Sequence, residues 1–115
     1  MKALSVRQPW TSLIASGRKT IEVRSWRTHY RGPLVICASA APCRVARPNV
    51  ERPKDAPLGV ALCIVELVDC REIQPDDALA ACEDAPTGFA WILRNVRTIE
   101  RVAVKGRLGF FDVAA

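Results

Sequence analysis

Gly17-Arg18-Lys19-Thr20-Ile21-Glu22-Val23-Arg24 is where this chain changes its structural period. Upstream, Trp10, Leu13 and Ile14 stand at i, i+3 and i+4, the apolar stripe of a short helix running from Pro9 to Ser16. Pro9 suits the first helical position, where its missing N–H costs nothing. Gly17 suits the left-handed position that ends a helix. Downstream the residues alternate as a strand does. Thr20, Glu22 and Arg24 share one face, and Ile21 and Val23 share the other. Lys19 sits at the corner, beside the negative end of the helix dipole. Two cations, a carboxylate and a hydroxyl therefore converge where a helix hands over to a strand. Such a set can hold an anion or the polar edge of a base, and it can also move protons. The residues alone leave both open.

Working outward, Lys2 to Arg7 reads as a first strand, with Leu4 and Val6 on one side and Ala3, Ser5 and Arg7 on the other. The site strand runs from Thr20 to about Trp26, and a polar loop closed by Gly32-Pro33 follows. Leu34 to Ser39 is apolar on both faces, as a central strand is. Residues 40–57 carry prolines at 42, 48, 53 and 57, with Arg44, Arg47, Arg52 and Lys54 between them. That spacing forbids a long helix or a central strand, so a variable loop is expected. Leu58 to Cys70 is the longest strand signal, and Gly59 marks a bend or bulge in it. Pro75-Asp76-Asp77 opens a short helix reaching about Cys82, with acids in its first turn. Phe89 to Val96 is a strand and Thr98 to Val104 continues extended. Lys105-Gly106 is a turn, and Leu108 to Val113 closes the chain. Five or six strands, few helices and no regular β-α-β alternation indicate an α+β fold built as a small, partly closed mixed barrel.

At 115 residues the chain is one domain with a single core. No apolar run approaches the ~18 residues of a membrane span, and the N-terminus lacks the apolar segment of a secretory signal. The net charge of +5 favours a polyanionic partner. The five cysteines are odd in number and contain no C-x-x-C pair, and His29 is the single histidine. They read as reduced, mostly buried thiols of a cytoplasmic protein, with no metal and no cofactor expected.

The pattern Gly17-x-Lys19-x-x-Glu22-x-Arg24 resembles the G-x-K-x-x-E-x-R signature of the ASCH (ASC-1 homology) family, relatives of PUA domains. Leu4 to Trp10, Ser25-Trp26-Arg27, Tyr30 to Leu34, Trp91-Ile92-Leu93 and Lys105-Gly106-x-Leu108-Gly109 are similar to stretches of its small stand-alone members. The resemblance implies a PUA-like barrel with two or three short helices and a cleft beside the signature. It also implies an RNA-related role. Some members resembling this motif hydrolyse the amide of acetylated cytidine, and others act as ribonucleases. In the amidohydrolase group the acid position carries a Thr nucleophile, whereas here it is Glu22.

The residues expected to hold RNA or a nucleoside-like ligand are Lys19, Glu22, Arg24 and Trp26, with Arg7, Gln8 and Arg31 at element ends. Lys19 and Arg24 supply charge, Glu22 reads a polar edge, and Trp26 stacks on a base if exposed. Single-stranded or looped RNA suits such a cleft better than duplex. The alternative is a small metal-independent hydrolase of a modified nucleoside or of RNA. There Lys19 and Glu22 share proton transfer, and Thr20 or water is the nucleophile. A monomer without a membrane partner is expected. Trp10 and its helix stripe read as core, and His29 as a solvated loop residue.

Overall fold

The computed structural model describes residues 1–41 and 56–114. Six strands form one sheet: β1 (Lys2–Val6), β2 (Ile21–Arg24), β3 (Gly32–Ala38), β4 (Val60–Glu72), β5 (Phe89–Ala103) and β6 (Phe110–Asp112). Two short helices accompany them, α1 (Trp10–Ala15) and α2 (Ala78–Ala81), the latter preceded by a 3-10 turn at Pro75–Asp77. The strand order is β2-β5-β4-β3-β1-β6. Among the described residues only the β1–β3 pair is parallel. This is a mixed α+β fold, a sheet curled into an open barrel of the PUA-like kind.

The alternation in β1 sorts as its sequence requires. Leu4 and Val6 enter the main core, while Ala3 joins a smaller cluster on the opposite face. In β3 all positions from Leu34 to Ala38 are buried, because the strand lies between β4 and β1 with both faces covered. The main core joins Leu34, Ile36, Val65, Leu67, Trp91 and Leu93, and Ile14 of α1 plugs it. The second cluster gathers Val35, Cys37, Ala61 and Phe111, with Ile99 and Val104 against them.

Element ends depart from the sequence pattern for identifiable reasons. Pro9 is the residue before α1 rather than its first helical position, and Gly17 turns the chain away at φ +83°. The site strand stops at Arg24 rather than Trp26, because Arg24 pairs with Phe89, where the partner strand β5 begins. Gly59 lies just before β4, not inside it. Its φ is +67°, its N–H donates to Ala38 O at 2.9 Å, and its carbonyl accepts from Val104 N at 3.0 Å. The two extended stretches after Gly88 are one strand, with Asn95 at φ +54° absorbed as an irregularity in the β4–β5 register. The closing strand begins at Phe110 rather than Leu108. The segment 104–109 is instead a strap joining β5 to β6, strands that β4, β3 and β1 separate in the sheet. The loop expected over 40–57 lies largely outside the described residues, as does Cys43.

The barrel's seam lies between β2 and the β1–β6 edge. Among the described residues no backbone ladder joins them. Side chains do so instead. Arg24 Nη2 donates to Ser5 O at 2.7 Å, and the Trp26 ring meets Phe110 edge-on, centroids 5.5 Å apart.

Cys37, Cys63 and Cys70 are buried free thiols and Cys82 is half-buried. Burial pushes the Cys37 thiol up to about 11 and Cys63 to about 12, which leaves both unreactive near neutrality.

Candidate nucleic-acid interface at the barrel seam

A cleft of about 910 Å³ opens along this seam. Glu22 and Arg24 form part of its floor, and Trp10 and Trp26 line it. Ser5, Val6 and Arg7 come from the end of β1, residues 38–41 from the end of β3, and Gly106 to Gly109 from the strap. The volume lies within the range of small-molecule sites.

Glu22 is only 6% exposed and holds a chain of charges together. Its Oε2 accepts from Arg24 Nε at 3.2 Å and Nη2 at 2.9 Å. Its Oε1 accepts from Val23 N at 3.2 Å and lies 3.7 Å from Lys19 Nζ. A carboxylate offers about four acceptor positions, so three donors and the adjacent Lys19 ammonium leave Glu22 almost fully engaged within the protein. Arg24 is bound on both sides of the seam, which makes it a fastener as well as a charge.

Lys19 is 2% exposed. Its ammonium donates to Ala81 O at the end of α2, so it caps that helix and not α1, whose end it follows in sequence. Burial pulls its pKa below the ordinary 10.5, opposed by the nearby Glu22 and Glu83 carboxylates. The stem of Lys19 lines a separate cavity of about 120 Å³ together with Ile14, Gly17 and Thr20. Thr20 therefore faces a different space from Glu22 and Arg24. It lies outside β2, and its N–H donates to Ala80 O at 3.0 Å.

The remaining candidates divide. Arg7 is exposed on the rim of the cleft. Trp26 is half-buried. One side packs on Trp91, centroids 4.7 Å apart at 85°, and its backbone carbonyl accepts from Trp91 Nε1 at 3.3 Å. Trp91 is fully buried and serves as the platform. Gln8 is 0% exposed and its amide is engaged at both ends. Nε2 donates to Pro57 O at 2.9 Å, and Oε1 accepts from Ser12 N at 3.0 Å in the first turn of α1. Arg31 does not line the cleft. Its guanidinium donates to Thr28 O and Tyr30 O at 3.0 and 2.9 Å and lies 3.6 Å from Asp69. The strap residues, Ser5 and Glu83 were not singled out from sequence, because they reach the cleft from parts of the chain far from the signature. The Lys105-Gly106 turn was the available signal.

The floor is thus an ion-pair network, and the exposed cations Arg7 and Arg107 stand at the rim. The ASCH domain profile matches residues 4–103. The chain belongs to the ASCH family. Human activating signal cointegrator 1 is 37% identical over 123 residues, and its mouse counterpart is 33% identical over the same length. Each match covers 90% of this chain and 20% of the relative, so the chain spans about a fifth of the length of these proteins. The signature of this ASCH domain lies at the seam, with Gly17 ending α1, Lys19 under α2, and Glu22 and Arg24 on the cleft floor. No helix among the described residues is long and apolar enough to cross a membrane.

Proposed function

We propose that this ASCH domain binds single-stranded or looped RNA, or a nucleoside-like portion of it, in the seam cleft. The observation that carries the reading is the combination in one cleft of a half-buried Trp26, the Glu22–Arg24 ion pair on the floor, and cations at the rim. A base stacked on Trp26 would lie beside the Glu22–Arg24 pair, while Arg7 and Arg107 meet phosphates. The direct test is equilibrium binding of a labelled single-stranded RNA at rising salt. Affinity falls with salt, and Arg7→Ala and Arg107→Ala each weaken it and flatten the slope by roughly 0.7 per lost phosphate contact. Affinity indifferent to salt and to both substitutions overturns the reading.

The second reading is a metal-independent hydrolase of a modified nucleoside or of RNA. What favours it is the buried Lys19 with its lowered pKa beside Glu22. What weighs against it is Thr20, which lines the other cavity, leaving water as the nucleophile. Turnover of acetylated cytidine or RNA that disappears in Lys19→Ala would favour this reading over binding alone.

A further inference from the structure

The strap carries the most exposed large apolar side chain among the described residues. Leu108 is 100% exposed, and it stands on the lip of the cleft. A lone exposed leucine is ordinary. This one has a particular setting. The strap is fixed at both ends, by the bond from Val104 N to Gly59 O at 3.0 Å and by Phe110, whose ring packs against Trp26, Tyr30 and Trp91. Between these ends Gly106 lies so close to β1 that a Cβ there would fall 2.4 Å from Ser5 Oγ. Gly109 then turns the chain at φ +66°. The exposed cations Lys105 and Arg107 precede Leu108. An apolar tip is therefore held beside two positive charges at the mouth of a cleft that also contains Trp26.

We propose that Leu108 is an apolar wedge that covers the face of a nucleobase entering or leaving the cleft, with Lys105 and Arg107 holding the adjoining phosphates. The partner that fits is an anionic polymer with flat apolar faces at regular intervals, which is a single-stranded nucleic acid. Leucine, like an aromatic ring, can cover an unstacked base without reading its edge. This rests on the seam cleft being a nucleic-acid site, and adds to it a contact that depends on the base and not on the charge.

The test is a binding cycle with wild type and Leu108→Ser against two probes of equal charge, octauridylate and the corresponding ribose-phosphate octamer lacking all bases. The proposal predicts that Leu108→Ser weakens octauridylate binding by roughly tenfold, about what covering a leucine contributes. It leaves the base-free octamer and the salt slope unchanged, since no cation is removed. Equal weakening of both probes, or no change in either, overturns the wedge. Wild type that binds neither probe overturns the cleft reading, and the wedge with it. Wild type that binds octauridylate while the substitution has no effect sinks the wedge alone. Leu108-dependent flotation with phosphatidylserine vesicles, without Leu108-dependent RNA binding, assigns the tip to a lipid surface and also overturns the proposal. Thermal melting of Leu108→Ser is expected to match wild type, because the side chain touches no core residue.

Discussion

Arg24→Met tests whether the seam is fastened by an ion pair. The substitution keeps most of the aliphatic stem and removes the guanidinium. Lost with it are the two bonds to Glu22 Oε2, at 3.2 and 2.9 Å, and the bond to Ser5 O at 2.7 Å. A charge-assisted contact to a buried carboxylate is worth about 1.5–3 kcal/mol, and a neutral carbonyl contact about 1 kcal/mol. The Arg24 side chain is 23% exposed, so water replaces part of this, leaving about 2–3 kcal/mol. Against a total stability of about 5–15 kcal/mol that is a large fraction, and it corresponds to a fall in Tm of about 10 °C. Urea unfolding followed by tryptophan fluorescence measures it. The double variant with Glu22→Gln should be more stable than the sum of the two singles by at least about 1 kcal/mol, because the second change removes the carboxylate that the first leaves exposed to burial without its main partner. An Arg24→Met loss below about 0.5 kcal/mol, or strict additivity, would mean that the ion pair does not fasten the seam.

Three further outcomes follow from the geometry. Gly88→Ala should lose at least about 2 kcal/mol in urea unfolding, since its φ is +107° and the new Cβ would lie 2.5 Å from the Arg24 carbonyl oxygen. The Asp77 carboxyl is pulled from 3.8 to about 2, first by its bonds from Arg71 at 2.8 and 2.9 Å and then by the Gln74 N–H. Its folded value is below its unfolded one, so its contribution is present above pH 3.8 and is lost as pH falls through 2. The stability gap between wild type and Asp77→Asn, about 1–2 kcal/mol once the exposure of Arg71 is allowed for, should therefore narrow over that window. Lys19 has the opposite pattern for a base. Its folded value is lowered, so the folded state binds its proton less tightly than the unfolded state does. Wild type should gain stability relative to Lys19→Met as pH rises from that folded value toward 10.5, as read by chemical unfolding across alkaline pH.

Much of the architecture was legible because short-range pattern and long-range packing agree. The change of period at Gly17 places α1 and β2, and continuous burial in Leu34 to Ala38 matches a strand with neighbours on both sides. Alternation also brought Glu22 and Arg24 to one face. What sequence could not supply were contacts between distant residues. Lys19 reads as a site cation at the negative end of the α1 dipole, yet its ammonium donates to the carbonyl of Ala81, 62 residues on. Gln8 reads as a polar end group, and the bonds to Pro57 and Ser12 take up its amide. Trp26 lies beyond β2 because β5 begins opposite Arg24, and it reaches the cleft by packing on Trp91 and Phe110. The strap was hidden for a related reason. Leu108 to Val113 reads as one closing strand, but the chain must first cross from one side of the sheet to the other.

Ligand entry at the seam can be observed directly. Titration of uniformly ¹⁵N-labelled protein with a short single-stranded RNA, followed by amide chemical shifts, tests it most directly. The largest changes should fall on residues 5–7, 22–26, 38–41 and 106–109, which line the cleft from four separate parts of the chain. Changes confined to the distant ends of β4 and β5, or none at saturating RNA, would contradict it.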